Sequence, residues 1–291
     1  MARVRQSLTR PRVDDPVAAM TAQMRRLAPR IQAGATVGIT AGSRGIQNIC
    51  PMLAAAIAVV RECGATPVLL AAMGSHGGGT LEGQLEILHT YGITQEAMGI
   101  PVVANNDVEL LGSTSRGIQV YFDKLCLEQA DLVIPINRVK LHTDFVGPLQ
   151  SGLCKMLVIG LGNHKGCSAA HEEDSDHFAA MLEETAGIIL KKAPIGFGVA
   201  ILENAYDKTR RIEAVPAKGW IEREKELVQE AKANMPCIML PEADVIVCQE
   251  IGKDVSGAGF DPSQAGSHDA GANSQNYYDA DYTVVDDDDK K

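Results

Sequence analysis

The chain has 291 residues, 45% of them apolar and 22% charged, with a formal net charge of −10, the proportions of a globular protein with room for one large or two modest cores. The negative balance excludes nucleic acid and anionic membrane as favoured partners, and no run of about 18 uncharged apolar residues is available to span a bilayer. The basic opening MARVRQSLTRPRV lacks the apolar stretch of a secretory signal, and the seven cysteines are scattered without a CxxC pair, so a reduced, cytoplasmic protein with neither a disulfide framework nor a cysteine-built zinc site is expected.

Asp14 to Ile31 reads as a helix interrupted near Pro29. Ala35 to Thr40 is the first predicted strand. It runs into AGSRGIQN (41–48), and an alanine-rich helix follows from Pro51 to Cys63, closed by Gly64 as a C-cap. The order then repeats: a strand from Pro67 to Ala72, the loop MGSHGGGT (73–80), and a helix from Leu81 to Tyr91. Strand, glycine-rich loop and helix met twice running is the pattern of parallel βαβ units, whose ligands sit at the carboxyl ends of the strands. Arg44 and His76 are thereby predicted to share one rim.

Ile100 to Ala104 is a further strand, GSTSRGIQVYF (112–122) lies in a hairpin region, and Leu132 to Ile136 is a short, buried strand. The segment Asn137 to His171 follows directly. It packs His142, His164 and His171 with Lys140, Lys155 and Lys165 among glycines. Residues 171–192 begin acidic and end basic, which suits a helix dipole; Ile195 to Leu202 is a strand, Trp220 to Ala233 a charged helix, and Ala243 to Cys248 a last strand. Beyond Phe260 the chain turns polar, and from Ser267 it carries seven aspartates against two lysines, a composition that predicts disorder. Its end, DDDDK, has the form of an engineered protease site or tag.

The polar residues of these loops suggest chemistry. A guanidinium beside glycine, as at Arg44 and Arg116, grips a carboxylate or phosphate at two points, or makes a surface salt bridge. The glycine-rich loops can cradle a phosphate, but neither fits GxGxxG followed by an acidic residue, nor a P-loop. His76 and His142 come from different strand ends. Facing one pocket, they would form an acid/base pair suited to neutral pH. Lys155, in the apolar setting GLCKMLVIG, is either a snorkelling surface lysine or a reactive amine or covalent anchor. His171 opens an acidic segment and can ligate a metal, with His164 and His177 as rivals.

Taken together, GSRGI (42–46), GSHGG (74–78), INRVKLHTDFVG (136–147), SGLCKMLVIGLG (151–162) and EIGKDVSGAGFDP (250–262), in that order, resemble the nickel-dependent lactate racemase superfamily over about residues 30–262. The resemblance is closer to that superfamily's uncharacterised homologues than to the lactate enzyme. It implies nickel held in a pincer nucleotide, pyridinium-3,5-bisthiocarboxylic acid mononucleotide, loaded by cofactor-synthesis proteins. By resemblance Lys155 is the tether, His171 the nickel ligand, and His76 and His142 the acid/base pair. Arg44 and Lys253 correspond to substrate contacts, and Gly77, Thr114, Ser115 and Arg116 to cofactor contacts. The implied reaction is racemisation or epimerisation of a 2-hydroxy acid through hydride transfer. Ala41 stands where the racemase has an acidic residue, and the spacing from His142 to Lys155 is longer.

The expected architecture is α/β. A parallel-sheet βαβ cofactor-binding domain occupies 1–238, the beginning of a truncated second α/β domain 239–262, and a disordered acidic tail or tag 263–291. Two other readings compete with the isomerase. One is a non-enzymatic binding module for a carboxylated or phosphorylated metabolite; the other is a zinc hydrolase using His142, His164 and His171, for which no HExxH-type spacing exists.

Overall fold

The strand Thr36–Ala41 is buried at every position after the first, with no alternation, as an interior strand covered on both faces requires. In the computed structural model, which describes residues 7–143, 145–236 and 247, this strand lies inside a parallel sheet. The chain begins with α1 (Pro16–Leu27), β1 (Thr36–Ala41), α2 (Ile49–Glu62), β2 (Thr66–Ala71), α3 (Leu81–Thr90), α4 (Gln95–Met98) and β3 (Val102–Val103). A hairpin, β4 (Val108–Ser113) and β5 (Gln119–Asp123), leads through α5 (Lys124–Gln129) to β6 (Leu132–Ile134) and β7 (Ile136–Arg138). Then come α6 (Leu153–Lys155), a π-helical turn (Met156–Gly160), α7 (Asn163–Ala170), α8 (Phe178–Lys192), β8 (Phe197–Glu203), β9 (Thr209–Pro216) and α9 (Trp220–Lys232).

The main sheet has the order β3-β2-β1-β6, all parallel, and a second sheet has the order β7-β8-β9. The strand expected from Leu132 to Ile136 is therefore two strands in two sheets. Pro135 separates them because it has no N–H to give to a ladder. Its carbonyl still accepts from Val199 N at 2.8 Å, and the buried Thr40 hydroxyl accepts from Ile136 N at 3.0 Å. These two bonds join the sheets across the break.

Successive residues of a strand face opposite sides, and two cores follow from that. Leu69, Leu132 and Ile134 pack with α1 and α2 on one side, through Met20, Met24, Leu53 and Ile57. Leu70 and Val133 pack on the other with the π-helical turn, α8 and α9, through Leu157, Leu182 and Leu227.

Several boundaries differ from the sequence reading. The first helix stops at Leu27, and a 3-10 turn covers Ala28–Arg30. The stretch after His142, read as loop, contains the helical turns from Leu153 to Ala170. Residues 171–177 are not helical. Asp174 accepts from His177 N at 2.9 Å just before α8, whose first turn carries no acidic residue, while Lys191 and Lys192 do end it. The strand β9 was not anticipated.

No described helix is long and apolar enough to cross a membrane. The described cysteines, Cys50, Cys63, Cys126, Cys154 and Cys167, are all free. The last strand expected at Ala243 to Cys248, the second domain expected at 239–262 and the tail at 263–291 lie outside the described residues, apart from Val247.

Candidate active site

The carboxyl ends of β1, β2 and β7 open onto one cleft of about 280 Å³. From β1 come Gly42, Ser43 and Arg44; from β2, Ser75 and His76; from β7 and the extended chain beyond it, Arg138, Lys140 and His142. Val139, between Arg138 and Lys140, is buried and faces away, while Asn137, Leu141 and Thr143 also reach the cleft. Lys155, Cys167 and His171 close the cleft from the helical turns.

Lys155 is placed by the π-helical turn that follows it, a geometry common at functional sites. Its Nζ lies 2.5 Å from Nε2 of His142. The amine donates, and the imidazole accepts. His142 stacks on Phe145 (centroids 4.3 Å apart), Phe145 meets Phe178 at 4.6 Å, and Phe178 meets His171 at 5.4 Å. These four rings, with Lys155, Glu173 and Ser175, line an adjoining pocket of about 160 Å³.

His171 Nδ1 is 2.7 Å from the Cys167 carbonyl. An N–H held there commits Nε2 to any metal, as second-shell carbonyls do in metalloenzymes. The Cys167 thiol at 3.6 Å and that carbonyl hold the imidazole pKa above its ordinary value, against partial burial and the charge of Lys155. Burial pushes the Cys167 thiol up, but its hydrogen bonds with His171 and Ser75 outweigh that and lower it. The Ser43 hydroxyl contacts Nδ1 of His76, tying the β1 loop to the β2 loop.

The cleft is lined by Arg44, Arg138, Lys140 and Lys155 with no carboxylate among the described lining residues, so its field favours an anion. Arg138 pairs with Glu203, whose other oxygen accepts from Gln47 N at 2.9 Å. That bond anchors the loop carrying Arg44.

Five expected site residues thus meet in this cleft: Arg44, His76, His142, Lys155 and His171. Gly77 stands behind it at φ +67°, where a Cβ would come within 2.5 Å of the Gly83 backbone. Thr114, Ser115 and Arg116 form the β4–β5 turn and are not among the described cleft-lining residues. Thr114 closes that turn on Ile118, Ser115 binds Glu184, and Arg116 binds Glu173 at 2.9 Å. Of the three, Arg116 has an indirect link to the site, through Glu173 at the edge of the smaller pocket. Lys253 lies outside the described residues.

His164 is exposed and packs beside Gly79 rather than lining the cleft, which removes it from a zinc trio with His142 and His171. Among the described residues, the group with metal-ligand spacing is Glu173, Asp174 and His177. Arg116 already engages both carboxylates, and His177 the second of them. Sequence reasoning assigned no role to Arg138, Lys140, Phe145 or Phe178. The available signal for the first two was their place in the polar segment directly after the buried strand.

A family model described as the lactate racemase N-terminal domain matches residues 5–181. The fold is similar to the solved structure of the lactate racemase apoprotein from Thermoanaerobacterium thermosaccharolyticum, with a TM-score of 0.58 and 15% identity. That likeness covers 76% of this chain and 57% of the other, so the chain spans little more than half of that relative's length. No curated protein matches the chain. With the match running from the first helix through the whole of the cleft and into α8, the chain belongs to the lactate racemase N-terminal domain family.

Proposed function

We propose that this chain is the cofactor-carrying part of a racemase or epimerase of a 2-hydroxy acid that uses a nickel pincer nucleotide. The observation that carries the reading is the meeting of Lys155, His142, His76, His171 and Arg44 around one cation-lined cleft. The donor set suits the group: an amine for a covalent tether, an imidazole with Nδ1 already taken, and positive walls for a phosphate and carboxylates. Lys155 would hold it, and His171 Nε2 would ligate its nickel. When bound, the group supplies a hydride acceptor for C2 of the substrate.

Arg44 orients the substrate carboxylate. His76 and His142 reach the cleft on separate loops, so each can serve one enantiomer. One histidine would take the substrate's hydroxyl proton, and the other would return a proton to that oxygen for the opposite enantiomer. In this reading the protein works in the cytoplasm on a small 2-hydroxy acid and depends on cofactor-synthesis proteins for loading. The free state of the five described cysteines supports that compartment.

Co-expression with the pincer-synthesis proteins is expected to give a covalent mass adduct on Lys155 that is absent from Lys155→Ala. His171→Ala loses nickel by metal analysis. His76→Ala and His142→Ala keep nickel and lose inversion, scored over short, aromatic and dicarboxylic 2-hydroxy acids. Loaded, active protein with an unmodified Lys155 would sink the assignment. The cationic lining also suits a binding module without catalysis, which predicts anion-induced stabilisation and no adduct.

A further inference from the structure

The turn that carries Lys155 is held by a carboxyl outside the cleft. α6 starts after Gly152, which has no side chain to cap it, so the Cys154 N–H, an orphan donor of the first turn, needs an acceptor from elsewhere. Glu224 supplies it from α9, with Oε2 accepting from Cys154 N at 2.8 Å. Glu224 is fully buried, on a helix face shared with Trp220, Leu227, Val228 and Ala231. The helix docks this close because Trp220 lies on Gly198 of β8, where a Cβ would sit 2.4 Å from the ring.

The fit at Gly152 is reciprocal. A Cβ there would lie 2.1 Å from Oε1 of Glu224, so the carboxyl itself requires the glycine. The same turn is tied on its other side: Asn137 Nδ2 donates to the Gly152 carbonyl at 2.8 Å, and Lys140 and Ser151 exchange backbone bonds of 2.8 and 3.2 Å. A carboxyl among apolar side chains loses its hydration, a cost that its hydrogen bond to the Cys154 N–H offsets in part.

We propose that Glu224 is a positioning residue: by capping the 152–155 turn from α9, it fixes the Lys155 amine beside His142. The proposal deepens the functional reading above and rests on Lys155 being the reactive amine of the cleft. Neither Glu224 nor α9 contributes a side chain to the described cleft lining. Its action is entirely through the turn.

Acetylation by limiting acetic anhydride, scored at Lys155 against the exposed Lys165 by peptide mass spectrometry, reads the placement of the amine without any cofactor. E224L fills the volume but offers no acceptor. It is expected to fold and to let the amine swing to solvent, raising the Lys155 to Lys165 ratio by about threefold or more as the turn opens. E224Q keeps an oxygen for the Cys154 N–H and is expected to keep the native ratio. A native ratio in E224L, or a raised one in E224Q, overturns the proposal. Should E224L not fold, E224A carries the same comparison with the same outcomes. Because acetylation needs no nickel, its failure leaves the tether assignment standing, and a missing adduct leaves this result untouched.

Discussion

Gly74 shows what a single atom does at the rim of the cleft. It sits at φ +61°, and a Cβ there would come within 2.9 Å of the Ile159 carbonyl and 3.3 Å of Cys167 Cβ. The glycine lets the loop bearing His76 lie against the π-helical turn that follows Lys155. Gly74→Ala is therefore expected to cost about 1–3 kcal/mol from backbone strain and overpacking together, read as a lower urea midpoint with an unchanged slope. His76 was legible because a polar side chain among glycines at a strand end has few structural reasons to be there; Lys155 and His171, which lie on helical turns, stood out through the glycine-flanked polar cluster that holds them. Gly74, Gly152 and Glu224 were not legible in the same way. Their importance lies in which atoms of distant segments crowd against them, and a linear sequence does not carry that distance.

At the scale of the element, α9 carries one buried acid, Glu224, on its apolar docking face. Burial raises the Glu224 pKa from its ordinary 4.5 to about 7. The folded protein thus holds a proton that the unfolded chain releases. The sign follows: this contribution to stability is complete below pH 4.5 and is lost as pH rises through about 7. It amounts to roughly 3 kcal/mol at about 1.4 kcal/mol per unit. E224Q cannot titrate, so native protein and variant should be similar in stability near pH 4.5 and diverge in favour of E224Q by pH 8, measured by urea unfolding across that range. Equal stability at both pH values would remove the buried acid from the pH response. Helix existence was legible here from the charged and apolar spacing of residues 220–233. The boundaries of α8 were not, because the acidic run 172–176 looks like a favourable first turn until Arg116, distant in sequence, binds Glu173 and Asp174.

For the molecule as a whole, the cleft spans two sheets, and its geometry depends on how they are joined. The βαβ repeat made the parallel sheet legible, and with it the shared rim of Arg44 and His76; the second sheet was hidden because one apolar run, Leu132 to Ile136, serves both. Arg44 follows β1 in the first sheet, and Arg138, Lys140 and His142 follow or end β7 in the second. At the junction, the Ile136 N–H emerges beside Pro135 and is satisfied by the hydroxyl of Thr40, a side chain with 0% exposure. Thr40→Val keeps the shape and removes the acceptor. A buried N–H left unpaired costs about 1–3 kcal/mol, so urea unfolding should shift by that amount, while Thr40→Ser, which keeps the oxygen, should recover most of it. Under the proposed function the same variant should also weaken binding of a 2-hydroxy carboxylate, because Thr40 precedes the Arg44 loop and Ile136 begins the strand leading to His142. If Thr40→Val changes neither quantity, the Pro135–Val199 hydrogen bond and the Val133–Ile195 bridge suffice to hold the two sheets together, and the hydroxyl of Thr40 only fills space.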